Sequence, residues 1–314
     1  MNISFITLFC CLLANLSCSQ THSHVEEPEP IRGFSHFDTT LPDDVSVVSS
    51  DGGSIANGRF VIPAGNLAVR VIEEKGAWLT VGDNTELIID GNIQLEGNGF
   101  SGCDIIRVTG RNVRIQGKGN IVGDRWCHKG KEGEWGMGIR LHGATDVTVN
   151  GLTIADCWGD CIYIGGNSER IKISSCVLRG SRRQGISITK ADGVTISNCH
   201  IANISGTMPQ YAIDIEPNKR CAVDNVLIKD VTVTNCEGGF RAIIGRKGVG
   251  NARIGRVEIN GCQVMAKSRH TLQFTGCENV IVKDCTIETR IGEKPILSKH
   301  VANLKEDNNK VIYK

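Results

Sequence analysis

Several features are scarce or missing in this sequence, and each absence closes off a class of function. The net charge is only +1 over 314 residues, so no overall field steers the chain toward nucleic acid. No Cys-x-x-Cys pair occurs, and Cys157 and Cys161 are separated by three residues, which argues against a zinc site. A Gly-x-Ser-x-Gly nucleophile elbow is absent. Gly117-Lys118-Gly119 and the glycine-rich stretch 245–255 lack a following Gly-Lys-Ser/Thr, which excludes a nucleotide phosphate loop. The one long apolar run, Ile3 to Leu16, has the length of a signal-peptide core and is too short to span a bilayer comfortably. Neither a Leu-rich consensus nor a helical segment is visible, which removes the leucine-rich horseshoe.

What is present is a repeat. Val147, Val149, Leu152 and Ile154 form a first copy, and Ile171, Ile173, Cys176 and Leu178 a second. Val194, Ile196, Cys199 and Ile201 follow, then Val226, Ile228, Val231 and Val233. Val257, Ile259, Cys262 and Val264, and finally Val280, Val282, Cys285 and Ile287, close the series. Apolar residues fall at offsets 0, 2, 5 and 7 in every copy, and the starts are 24, 23, 32, 31 and 23 residues apart. Period-two alternation makes each pair one face of a strand. The odd step from offset 2 to offset 5 requires a two-residue bend, as at Asn150-Gly151 or Asn260-Gly261, if both pairs are to face inward. A third pair follows in most copies: Ile162/Ile164, Ile186/Ile188, Ile213/Ile215 and Leu272/Phe274. Three short strands per turn of about 23 residues predict an all-β chain, a single-stranded parallel β-helix, right-handed by the usual crossover preference. Continuous repetition argues for one elongated domain over residues 31–314. The irregular early coils carry the pairs Leu87/Ile89, Ile93/Leu95 and Val113/Ile115. Segments 30–58 and 302–314 are expected to cap the two ends.

Residues 1–18 read as an export signal, although no Lys or Arg precedes the apolar run. Cys18 is placed for lipid modification, but Asn15 stands where such signals prefer Leu, so a lipoprotein and simple cleavage both remain open. The polar, acidic, proline-containing stretch to residue 30 is expected to be a disordered tether. An exported protein, whether secreted, periplasmic or lipid-anchored, is the expectation. Cys176, Cys199, Cys262 and Cys285 share one inward offset. They read as small buried hydrophobes, with disulfides between adjacent coils as the alternative in an oxidising compartment.

Chemistry is expected on the outward positions of the third strand, which line up between coils. In order these are Arg140, Tyr163, Ser187, Asp214, Ile243 and Gln273, then His142, Gly165, Thr189, Glu216, Gly245 and Thr275. Asp160, Gln184, Tyr211 and His270 stand just before the strand, with Arg183 beside them. Asp214 and Glu216 are two residues apart on one strand, about 6.6 Å between Cα atoms. That is close to the carboxyl separation of roughly 6.5–9.5 Å used by inverting glycosidases. An ordinary solvated acidic patch, or an ion-pair ladder with Arg183 and Lys190, fits the same residues. Asp160, two coils earlier, is a third acid or a holder of a substrate hydroxyl. Arg182 and Arg183 could clamp a carboxylate or sulfate, or simply pair with Asp160 and Asp214. Trp126, Trp135 and Trp158 could stack on sugar rings or pack their loops, and His142, His200 and His270 are candidate bases or ordinary surface residues. The stretch from Arg107 to Asp192 has 14 Lys/Arg against 8 Asp/Glu, which suits an anionic partner.

The run Trp158-Gly159-Asp160-Cys161-Ile162-Tyr163-Ile164, followed by Arg183-Gln184-Gly185-Ile186-Ser187-Ile188, resembles successive catalytic coils of polygalacturonase-type glycoside hydrolases in the pectin-lyase-like superfamily. The resemblance implies cleavage of a uronic-acid-containing polysaccharide by carboxylates on one face. Three motifs depart from it. Trp135-Gly136-Met137 stands for Asn-Thr-Asp, Gly159-Asp160 for paired aspartates, and Arg183-Gln184-Gly185 for Gly-His-Gly. Arg182 to Asn218 also resembles a stretch of uncharacterised bacterial and phage β-helix proteins. Three readings follow. The first is hydrolysis of an acidic polysaccharide by Asp214 and Glu216 with Asp160 assisting and Tyr163, Gln184, Arg140, His142 and Trp158 contacting substrate. The second is a lyase in which Arg183 or Lys190 neutralises a uronate while Tyr163 or His142 handles the proton. The third is a non-catalytic glycan-binding adhesin or tailspike-like module. No metal or other cofactor is called for. Calcium, which some β-helix lyases use, stays open, since no dense Asp cluster demands it.

Overall fold

The offset-0 valines and isoleucines stack in register. Val147, Ile171, Val194, Val226, Val257 and Val280 pair in turn along one parallel sheet, all buried. A computed structural model describes residues 42, 44–245, 250–268 and 271–314. The signal segment 1–18 with Cys18, the tether 19–30 and His270 lie outside the described residues.

Three parallel sheets result. The first has eleven strands, from Val45–Val47 to Asn303–Asp307. The second has ten, from Asn66–Val69 to Lys310–Tyr313, and the third ten, from Gly53–Ile55 to Ile296–Lys299. The chain is thus an all-β solenoid with no helix among the described residues, and no helix there is long and apolar enough to cross a membrane. One coil shows the plan. Thr145–Asn150 carries Val147 and Val149 in the first sheet, Thr153–Ala155 carries Ile154 in the second, and Asp160–Gly165 carries Ile162 and Ile164 in the third. Their side chains fill one continuous apolar core. The segments 45–55 and 303–313 contribute strands to these sheets.

The odd step in the repeat is solved by one left-handed residue per coil. Gly151 (φ 80°), Ser175 (54°), Asn198 (52°), Asp230 (53°), Gly261 (65°) and Asp284 (56°) occupy the same bend. Gly, Asn and Asp are the residues that adopt this region at least cost. A second device opens each third-sheet strand. Cys161 and Ile162, and likewise Ala212 and Ile213, both lie in the core although they are consecutive. At the matching positions, a Cβ on Gly185 would sit 2.4 Å from the Ala212 carbonyl oxygen, and one on Gly239 2.4 Å from that of Thr271. In these coils the backbone of the next coil leaves no room for a Cβ on either glycine, and the break in alternation leaves Asp160 and Tyr163 both facing outward, as it does Tyr211 and Asp214.

Coil length varies in only some places. The first-to-second bend keeps its two residues in all six copies. Longer connections, residues 123–134, 203–210 and 216–221, all enter or leave third-sheet strands. Of the eleven cysteines in the described part nine are buried, and these nine are free thiols. Cys176 and Cys199, and Cys262 and Cys285, touch across neighbouring coils at the shared inward offset.

Candidate functional site

Parallel register assembles one outward column on the third sheet: Arg107, Arg140, Tyr163, Ser187, Asp214, Arg241 and Gln273. The expected Ile243 is not in it. Arg241 pairs with Asp214, and Ile243 stands one step on, opposite Thr275. The run Phe240-Arg241-Ala242-Ile243-Ile244 permits two alternation phases. Phe240 and Ala242 are the pair that points inward. Gly239, placed like Gly185 and Gly138 directly before the inward residue, is the sequence signal that could have fixed this phase and revealed Arg241.

The acids of this face are buried beneath their neighbours. Asp104 and Asp160 have no exposed surface and Asp214 only 2%. Asp104 accepts from Arg107 Nε (2.7 Å) and Arg140 Nε (2.8 Å). The Asp160 Oδ2 atom accepts from the Ser187 hydroxyl (2.7 Å) and lies 3.5 Å from Arg183 Nη1. Gln184 Nε2 donates to Asp214 Oδ2 (3.0 Å), while Gln184 Oε1 accepts from the Tyr211 backbone amide (2.7 Å). Arg241 Nη1 is 3.6 Å from Asp214 Oδ2. Among the described residues, nothing hydrogen-bonds to Oδ1 of Asp160 or Oδ1 of Asp214. A solvated acidic patch is therefore not what the sequence builds here.

Burial dominates the protonation of these groups. It pushes Asp160 up to about 6 against the opposing pull of Arg183 and Ser187. Asp214 is pushed up to about 7, chiefly by burial, with Arg241 opposing and the Glu216 charge adding to the rise. The same desolvation raises Asp104 despite its two arginines.

Two arginines roof the acids, and each is capped in turn by a glutamate. Arg183 Nε donates to Glu134 Oε2 (2.7 Å), and Arg241 lies 3.5 Å from Glu216 Oε1. The arginine side chains are 14% and 15% exposed, and both glutamates 38%. Tyr163 is buried, its hydroxyl 2.8 Å from that of Thr189, with the Arg140 guanidinium 4.7 Å above its ring. Asp160, Arg183, Gln184, Asp214, Glu216, Tyr163 and Arg140 thus converge as the repeat implied.

Other candidates are committed elsewhere. Arg182 stacks on Trp158 at 3.5 Å and donates to the carbonyls of Trp158 (2.9 Å) and Gly133. Trp158 is sandwiched, with His128 stacked at 3.8 Å, so its faces are closed to a sugar. Lys190 sits at the corner after the strand Gln184–Ile188 with no ion pair among the described residues, so the ladder uses Arg183 and Arg241 instead. His142 is in the column next to Arg140, with its pKa lowered by burial first and then by Arg140 and Arg107. His200 belongs to the second sheet, bonded to Thr234 (2.8 Å). Trp135 stands edge-on to Tyr163, while Trp126 is exposed with its indole nitrogen donating to Asp156 (3.1 Å). No group of three His, Cys, Asp or Glu side chains among the described residues is placed to hold a metal ion. Two open surface depressions lie along the first sheet and its bend, one lined by Ile88, Gln116 and Lys118 and the other by Arg256, Asn279 and Lys305.

Comparison with known proteins agrees with this architecture. The family described as right handed beta helix region matches residues 67–225 and 137–313, and the chain belongs to it. The SPbeta prophage-derived uncharacterized protein YorA of Bacillus subtilis is 29% identical over 186 residues, 52% of this chain and 32% of that protein. The chain spans about a third of the length of the curated relatives it matches. PfbA, a surface adhesin of Streptococcus pneumoniae, superposes with a TM-score of 0.61 at 11% identity, covering 83% of this chain and 70% of PfbA. A hyperthermoactive exopolygalacturonase from Thermotoga maritima gives 0.52 at 16% identity over 80% and 69% of the two chains. Likenesses at this level show the fold alone, a right-handed β-helix.

Proposed function

We propose that this right-handed β-helix hydrolyses glycosidic bonds of an acidic polysaccharide on the outward face of its third sheet. One observation carries the reading: Asp214, enclosed by Gln184 and Arg241, has its pKa raised to about 7 and so holds a proton near neutral pH. A carboxylic acid in that state can protonate a leaving glycosidic oxygen. Glu216, in the connection just after the strand Tyr211–Ile215 and partly exposed, would take a proton from the attacking water. The water oxygen bonds to the anomeric carbon as the glycosidic bond breaks, and the proton from Asp214 goes to the departing hydroxyl. The Arg241 guanidinium links the two acids, 3.6 Å from Asp214 Oδ2 and 3.5 Å from Glu216 Oε1. Asp160, tied to Ser187 on the coil between, supplies the third carboxyl.

One feature favours a second reading, a glycan-binding module without catalysis: both inner acids are covered by arginines rather than lining an open cleft. With the Tyr163 hydroxyl bonded to Thr189, a lyase would rely on His142 for the proton, with Arg183 or Lys190 against the uronate.

Incubation with pectic, alginate and host-type glycans tests these readings. New reducing ends without ultraviolet-absorbing products are expected, and Asp214→Asn should slow their release by about 10²- to 10⁴-fold. Unsaturated uronate ends would replace the hydrolytic reading with the lyase. Binding without cleavage, unchanged in Asp214→Asn and Glu216→Gln, would leave the adhesin.

A further inference from the structure

The third-sheet face repeats one arrangement twice. Asp160, Arg183 and Glu134 form an inner acid, a guanidinium and an outer acid, and Asp214, Arg241 and Glu216 do the same further along. In both, the inner acid is buried, the arginine nearly so, and the outer glutamate open to solvent. An exposed ion pair adds little stability, roughly 0–1 kcal/mol. Each glutamate instead occupies the outward side of a guanidinium, the side from which a carboxylate would approach. Arg183 precedes the strand Gln184–Ile188 and Arg241 lies in Gly238–Ile243, two rungs on, so the two are about 10 Å apart along the stack. Oδ1 of Asp160 and Oδ1 of Asp214 lie unpartnered directly beneath this roof.

We propose that Glu134 and Glu216 are built-in stand-ins for the carboxylates of an acidic glycan. The resting face is then self-capped, and a polyuronate opens it by displacing both glutamates from Arg183 and Arg241. This rests on the acidic-polysaccharide reading above but does not depend on cleavage. Drawn outward by a ligand carboxylate, Arg241 would uncover Asp214 and release Glu216 at the same moment. A neutral glycan has no group that competes for the guanidinium, so it would leave the cap in place.

The test is calorimetric titration of the full chain with a galacturonate hexasaccharide at low salt, with the recovered hexasaccharide checked for cleavage. Glu134→Gln should bind about three- to five-fold more tightly than the unaltered protein, the size set by an exposed ion pair. Arg183→Gln should weaken binding by about ten-fold or more, since a charge-assisted contact is lost. Glu132→Gln removes the same charge two residues away, at an exposed position outside both stacks, and should change nothing. Equal gains in Glu132→Gln and Glu134→Gln would reduce the effect to net charge and overturn the proposal. So would a lack of hexasaccharide binding by every variant, or indifference to Glu134→Gln. Glycan hydrolysis with no Glu134 effect would sink the capping idea and leave catalysis standing. A Glu134-specific gain with no cleavage of any glycan would do the reverse.

Discussion

The first and third sheets carry arginine–carboxylate pairs on their outward faces, in the same fold and with similar spacing, yet the pairs behave differently. On the first sheet Arg170 donates to Asp146 (2.7 Å) and Glu169 (2.8 Å), and all three side chains are about half exposed. Arg253 does the same with Asp224 and Glu278. On the third sheet Asp104, Asp160 and Asp214 have lost nearly all contact with solvent beneath their arginines. Water screens the first set, so distance alone makes a pair there. The second set bears the cost of desolvation, and protonation becomes the variable that answers to it.

The comparison can be broken from either side. The largest effect is expected for Arg241→Met, which leaves Asp214 buried without its cation. Chemical denaturation at pH 8 should show a loss of about 3–5 kcal/mol. At pH 5 the loss should be smaller, because Asp214 can then take up a proton. Next comes the pH profile of the unaltered protein. Asp160 and Asp214 bind protons more tightly folded than unfolded, so their contribution to stability is full below about pH 4. It is lost as pH rises through about 6 and 7. Asp214→Asn should flatten that slope by about 3 kcal/mol between pH 4.5 and 8.5. A profile just as steep in the variant would mean that Asp214 is not the titrating group. Smallest is the first-sheet control: Arg170→Met should change stability by no more than about 1 kcal/mol, with the difference vanishing in high salt. A loss as large as that of Arg241→Met would erase the distinction between the two faces.

The coil plan was legible because a solenoid writes its core into the chain at fixed offsets. The bend after Val149 had to exist once Leu152 and Ile154 were to share its interior, and Gly151 with Ser175, Asn198 and Asp230 supplies it. The convergence of Asp160, Arg183 and Asp214 followed from register alone. Two things were hidden. The phase of Phe240–Ile244 is ambiguous to alternation, and the deciding element is the missing side chain at Gly239, which packs on the Thr271 backbone. The enclosure of the acids was hidden as well. Alternation reports that Asp214 points outward, but not that a long arginine from the next coil will lie across it. Nor could it show that Trp158 would spend both its faces on His128 and Arg182.

The uneven coil length has a consequence of its own. Sequence can be added where residues 123–134, 203–210 and 216–221 already enlarge the turns, while the two-residue bend opposite them holds the stacking pitch constant. Walls can thus be raised or remodelled beside the acids without disturbing the floor on which they stand. A scaffold of this kind can change what surrounds its buried acids by altering only its margins.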